Sequence, residues 1–198
     1  MLLAAFTDVF AKRGYQAATV ENLIAGGKIS MGSFYKFFDG KEDCFVQVYD
    51  RVVAIALDRV RLAVPADAEW ATQAAIGTRV LVEFAAEQPL AAKVVLLEAQ
   101  TGGGEALRRY GETVRELAAF LRRGREEGKD GARLPENFED STAGGLVWLL
   151  QTRLARGGLG DAEELYPQVA KVVLEPYLGS DRTQRLLRAA SDEHAAPR

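Results

Sequence analysis

Apolar positions in residues 2–13 fall at Leu2, Leu3, Phe6, Val9 and Phe10, a helical spacing that Gly14 closes. Thr19 then stands as the N-cap of a second helix, with Asn22 at its third position and no acidic capping-box partner there. That helix carries Leu23 and Ile24 on one face and runs into Gly26 and Gly27, where missing side chains permit a left-handed turn and a close crossing. Ser30 opens a third helix. At about 100° per residue, Phe34, Phe37 and Phe38 share one side of it, and Gly32, Ser33, Tyr35 and Lys36 share the other. One face is built to pack and the other to reach out.

Beyond the Asp39-Gly40 turn the apolar pattern predicts a long helix from about Lys41 to Ala63, stopped by Pro65. Others follow over Asp67 to Glu87, from Pro89 to the TGGG break at 101–104, and over Glu105 to Glu127. In this last helix Leu107, Tyr110, Val114, Leu117, Ala118 and Leu121 read as the inner stripe. Its six arginines, interleaved with glutamates, read as a solvated face. Residues 128–140 form a polar connection, either a lid near a ligand or an exposed loop. Asp140 or Ser141 caps an apolar helix, and Asp161 starts another that reaches Leu178, with Pro167 as a kink or as its real start. Residues 180–198 add a short helix with Arg182, Arg185 and Arg188 on one face. No segment alternates with strand period, so the fold class is all-α. The division is an N-terminal three-helix head with a helix-turn-helix at 1–45 and a larger C-terminal helical domain at 46–198. The helix from about Lys41 connects them.

Composition excludes more than it selects. The 198 residues are 48% hydrophobic and 27% charged, an ordinary globular balance. No apolar run approaches the ~18 residues a membrane span requires, and a cytoplasmic protein is expected. With one cysteine, Cys44, read as a small core residue, and one histidine, His194 in the polar tail, an internal disulfide and a Cys/His zinc site are both excluded. No carboxylate has a convincing partner as a general base, so no catalytic residue and no cofactor is assigned. The TGGG stretch lacks the lysine and Ser/Thr of a phosphate loop. Net charge is -3, and in residues 1–50 Lys12, Arg13, Lys28, Lys36 and Lys41 face six carboxylates. A DNA reader built on this head has to gather its cations on one face and binds more weakly than a basic domain.

Residues 2–49 resemble the DNA-binding domain of the TetR family of transcriptional regulators. The likeness rests on Phe10, Arg13-Gly14-Tyr15, Thr19-Val20, Ile29-Ser30, Gly32-Ser33-Phe34-Tyr35, Phe38 and Lys41-Glu42. It implies a ligand-responsive regulator, a repressor as most of the family are, working as a homodimer on a palindromic double-stranded DNA operator. The DNA-binding candidates are Thr19, Ser30, Met31, Gly32, Ser33, Tyr35, Lys36 and Lys41. Tyr35, Lys36 and Lys41 are placed on phosphates, and Lys41, ill-suited to a helix N-terminus, is explained by an external anion. Residues 30–33 lie where base edges are reached.

Three departures from the family pattern stand out. Members carry a basic lead before the first helix, where this chain has Met1, so either the start lies upstream or that contact is missing. Met31 replaces a common lysine or arginine and leaves thymine methyls or DNA shape to specify the site. Phe37 replaces a common histidine and is expected to enlarge the core.

Dimerisation is carried over by position to roughly residues 141–178, whose helices are apolar over more than one stripe. An effector pocket is expected within 55–155, with Trp70, Phe84, Tyr110, Trp148 and Gln151 combining apolar surface and polar edges. The effector itself is not legible. The competing reading is a helical small-molecule-binding or adaptor protein with a degenerate DNA-binding head.

Overall fold

The computed structural model describes residues 2–127 and 131–195. Residues 128–130 of the polar connection, residues 196–198 and the side chain of His194 lie outside the described residues. Among the described residues there is no strand. The helices are α1 (Leu2–Arg13), α2 (Val20–Gly27), α3 (Met31–Tyr35), α4 (Lys41–Ala63), α5 (Trp70–Glu87), α6 (Pro89–Leu96), α7 (Gly104–Arg122), α8 (Gly124–Glu127), α9 (Phe138–Ala155), α10 (Ala162–Leu178) and α11 (Ser180–Ala195). Short 3-10 turns lie at Glu98–Thr101 and Gly131–Arg133.

Local chemistry accounts for most boundaries. Pro89 occupies the first turn of α6, where its missing N–H costs nothing. The Asp161 carboxylate accepts from the Glu163 N–H and starts α10. Pro167 therefore lies inside α10, as does Pro176, and is not its start. The helix predicted over 105–127 breaks at Arg123, and the next residue, Gly124, lies against Trp70, where a Cβ would meet the indole at 2.5 Å. α5 begins at Trp70 rather than at Asp67, and its free N–H groups are capped from afar. The Glu127 carboxylate accepts from Trp70 N at 2.7 Å and Ala71 N at 3.3 Å.

Two apolar clusters organise the chain. In the body, α5 packs on α10 and α7 on α9, burying Trp70, Leu121, Leu146, Leu165, Tyr166, Leu174 and Tyr177. The head cluster joins Phe6, Phe10, Tyr15, Leu23, Phe34, Phe38, Phe45 and Tyr49. Its rings meet edge to face, Phe6 with Phe38 at 5.6 Å and Phe45 with both Phe10 and Tyr15 at 5.0 Å.

Val94, Ala99 and Ala106 of the body complete the head cluster. Around them the head is held by polar contacts to α6 and the turn after it. The Tyr15 N–H donates to Glu98 Oε2 at 2.8 Å, Lys93 Nζ to Ala11 O at 2.6 Å, and Gln16 Nε2 to Thr101 O at 2.8 Å. Two of the TGGG glycines serve this junction. A Cβ on Gly102 would meet Phe45 at 2.7 Å, and Gly103, at φ +100°, lies against the Glu42 carboxylate.

Candidate nucleic-acid interface

The head presents its third helix on a frame set by two caps and two glycines. At the start of α2 the Thr19 hydroxyl accepts from Asn22 N at 3.3 Å while Asn22 Oδ1 accepts from Thr19 N at 3.2 Å. Asparagine thus completes the capping box that its lack of an acid had spoken against. At the other end Gly26 and Gly27 are helical, and the left-handed residue is Lys28, at φ +52°. The glycines supply closeness instead. A Cβ on Gly26 would lie 2.5 Å from Val9, and one on Gly27 would lie 2.7 Å from Leu2 and from Phe6. So Leu2, Phe6 and Val9 of α1 pack directly on the α2 backbone, and α3 stands at the surface.

α3 is capped by Ser30, whose Oγ accepts from Ser33 N at 3.1 Å and lies 2.9 Å from Ser33 Oγ. Phe34 is fully buried against Phe6, while Met31, Gly32, Ser33, Tyr35 and Lys36 are exposed. Nothing lies within 4 Å of a Cβ built on Gly32. The expected Phe37 packing does not occur, since its side chain is 59% exposed. α3 ends at Tyr35, so the helical spacing that aligned Phe37 with Phe34 no longer applies beyond it. A tight turn puts Phe38 inside and Phe37 outside. The Phe37 backbone is fixed by its N–H to Phe34 O at 3.0 Å and by Gln47 Nε2 donating to its carbonyl at 3.4 Å.

Lys41 is placed differently from the expectation. Its ammonium donates to Tyr15 O at 3.0 Å and lies 4.4 Å from the centre of the Tyr15 ring, so an internal partner explains it without an external anion. Asp39, Glu42 and Asp43 line an open cleft of about 420 Å³ beside it. Lys12 pairs with Asp8 at 3.0 Å. Among the described residues of the head, Arg13, Lys28 and Lys36 take no ion pair. Cys44 is buried in the head core, where desolvation first and the Asp43 charge second push its thiol up to about 12. At neutral pH it carries almost no thiolate.

The five effector candidates do not converge. Tyr110 and Gln151 meet, with Gln151 Nε2 donating to Tyr110 Oη at 3.1 Å and to Leu96 O at 2.6 Å. Gln100 Nε2 reaches the same hydroxyl at 3.3 Å. Trp70 lies elsewhere in the body core, its Nε1 donating to Phe120 O at 3.0 Å and its ring 4.9 Å from Tyr177. Phe84 lies under the Arg59 guanidinium at 5.0 Å. Trp148 is 65% exposed on α9. Sequence reasoning missed Glu98 and Lys93, which grip the head, because no local pattern shows that residues some eighty positions apart will meet.

A helix-turn-helix with a hydroxyl-rich outer face, carried on a larger helical body, is the architecture of a DNA-binding regulator. Residues 2–48 match the family model of bacterial regulatory proteins, tetR family. Solved structures agree on the fold. The fatty acid degradation regulator FadR from Bacillus halodurans is 20% identical, with 87% of this chain and 96% of that one covered and a TM-score of 0.75. FadR from Bacillus subtilis in complex with stearoyl-CoA is 19% identical, with coverage of 88% and 97% and a TM-score of 0.69. A gamma-butyrolactone receptor, an ArpA-like protein, is 16% identical, with coverage of 96% and 93% and a TM-score of 0.72. None of the curated proteins matches the chain. No helix among the described residues is long and apolar enough to cross a membrane.

Proposed function

We propose that this chain is a cytoplasmic, effector-responsive repressor that binds a palindromic operator as a homodimer. The observation that carries this reading is α3: one face is locked into the head core through Phe34, and Met31, Gly32, Ser33, Tyr35 and Lys36 stand free on the other. Ser33 and Tyr35 offer hydrogen bonds, Lys36 offers charge, and Gly32 lets the helix come close to a groove floor. Thr19 and Ser30 cap their helices, and both are exposed.

Dimerisation is supported by α9 and α10. Gly144, Gly145 and the exposed Trp148 form a stripe on α9 with nothing against the glycines. Next to it an open cleft of about 310 Å³ between Phe138, Thr142 and Val172 offers space for a partner side chain. Two copies joined over residues 141–178 would set their α3 helices in successive major grooves, about 34 to 36 Å apart.

For the effector, the hydrogen-bonded set Gln100, Tyr110 and Gln151 is the best-supported polar end of a site. Gln151 is bonded to Leu96, the last residue of α6, close in sequence to Glu98 and its grip on the head. An effector that favoured a different seating of α6 would lower operator affinity by its differential affinity for the two states. The structural neighbours named for stearoyl-CoA and gamma-butyrolactone support an organic effector with an apolar part. The test is selection of random duplex DNA by the purified protein at two salt concentrations. A palindromic motif is expected. No enrichment at low salt would favour a ligand-binding or adaptor protein with a degenerate head.

A further inference from the structure

The exposed surface around α3 holds an apolar set that the hydroxyls and the lysine do not explain. Met31 is 46% exposed at the first position of the helix, and Phe37 is 59% exposed just beyond its end. Both stand on fixed backbone. Met31 follows the Ser30 cap, whose side chain is engaged with Ser33, and Phe37 is fixed through both its backbone N–H and its carbonyl. Lys36 Nζ lies 5.9 Å from the centre of the Phe37 ring, so the charge and the ring present one mixed surface.

The cations of this head are also few. Lys41 is engaged by the Tyr15 carbonyl and Lys12 by Asp8, and Asp39, Glu42 and Asp43 stand nearby. A head with this balance gains less from phosphate neutralisation than a basic one, and the remaining affinity has to come from elsewhere. In a duplex the apolar groups within reach of a helix are the thymine 5-methyl, exposed in the major groove, and the deoxyribose faces along its rim.

We infer that this head reads its operator partly by apolar contact, with Met31 packing on a thymine 5-methyl in each half-site and the Phe37 ring lying against the flanking deoxyribose. The inference rests on the DNA-binding reading above and deepens it. Residues at the N-terminus of a recognition helix are the ones that meet base edges, which suits Met31 to specificity. Phe37, past the end of the helix and beside Lys36, suits the backbone, where contact adds affinity without choosing a sequence. Thioether and methyl are well matched, since an unbranched polarisable side chain adjusts to a small apolar target.

The test uses the full chain and the duplex that the selection returns. Each thymine of the half-site is replaced in turn by deoxyuridine, which removes the 5-methyl and leaves every hydrogen-bonding edge in place. One position per half-site should lose about fourfold in affinity, or about 15-fold when both half-sites are changed. Met31→Ser should bind the thymine and deoxyuridine duplexes equally. Phe37→Ala should weaken both duplexes by the same factor and leave the slope of log affinity against log salt unchanged. Both side chains are largely exposed, and circular dichroism should report an unaltered fold. Equal binding of all the thymine and deoxyuridine duplexes by the unsubstituted protein would overturn the methyl contact while leaving the DNA-binding reading standing. A Phe37→Ala protein that binds as the unsubstituted one does would overturn the sugar contact. Failure to retain any duplex, with or without the methyl, would remove the DNA-binding reading and this inference together.

Discussion

Glycines that look alike in the sequence are set apart by what stands next to them. Gly26 lies where a Cβ would be 2.5 Å from a branched valine, whereas Gly32 has only open space around it. Gly26→Ala should therefore destabilise the head by about 1–3 kcal/mol, read from the urea midpoint. Gly32→Ala should leave stability unchanged or raise it by up to about 1 kcal/mol while lowering operator affinity, because the added methyl meets only an incoming duplex. A Gly32→Ala protein with undiminished affinity would remove that position from the DNA-facing surface. The two lysines assigned to phosphates separate in the same way. Lys36→Ala should flatten the slope of log affinity against log salt by about 0.9 for each phosphate that the ammonium neutralises. Lys41→Ala should instead cost about 1 kcal/mol of stability, since its ammonium is bonded to the α1–α2 connection.

At the level of elements, the far end of the body is pinned by a buried acid. Glu139 is fully buried and receives Arg125 through Nε and Nη2, both at 2.8 Å, and the Tyr177 hydroxyl at 3.1 Å. Arg125 also donates to the carbonyls of Leu134 and Pro135, so α8, α9, α10 and the turn between them share one network. Burial pushes the Glu139 carboxyl up, but the Arg125 bonds, its own backbone N–H and Tyr177 together hold it below its ordinary value of 4.5. The unfolded chain thus takes up the proton first. The stabilisation is fully present above about pH 4.5 and is lost as pH falls through the lower, folded-state value. Glu139→Gln should cost about 2–3 kcal/mol near pH 7, because Arg125 is left without its counter-charge. The gap in urea midpoint between the two proteins should close below about pH 4. A gap that stays constant down to pH 3 would show that the charge of Glu139 contributes nothing.

At the scale of the whole molecule, head and body are joined by a core that neither owns. Phe45 of α4 packs with Phe10 and Tyr15 and is also the neighbour that requires Gly102, while Glu98 holds the Tyr15 N–H. A shift of α6 cannot leave the head where it was, which is the route by which the proposed effector response would reach the head. The same scale sets the role of Trp148. An indole 65% exposed beside two bare glycines is a costly surface for a single copy. Trp148→Glu should give a folded monomer by light scattering, with palindromic operator affinity reduced by at least about tenfold because the half-sites are then bound independently. A dimer unaffected by this change would move the interface away from α9.

The sequence by itself determined the helices, their main stops and the three-helix head, because each of these is set by neighbours within a turn. The spacing of Phe6 and Phe10, the Thr19 and Ser30 caps and the turn after Phe38 all act over a few residues. It also made legible the outer face of α3, since Phe34 had to be inside if Ser33 and Tyr35 were outside. Only the tertiary structure decided whether Phe37 would follow Phe34, whether Lys41 would find a partner within the head, and that Tyr110 and Gln151 would meet while Trp70 and Trp148 would not. Those outcomes depend on contacts between residues distant in the chain, Glu98 with Tyr15 and Glu139 with Arg125 and Tyr177 among them. Helical periodicity assigns a residue to a face, but what that face meets is fixed only when another helix arrives.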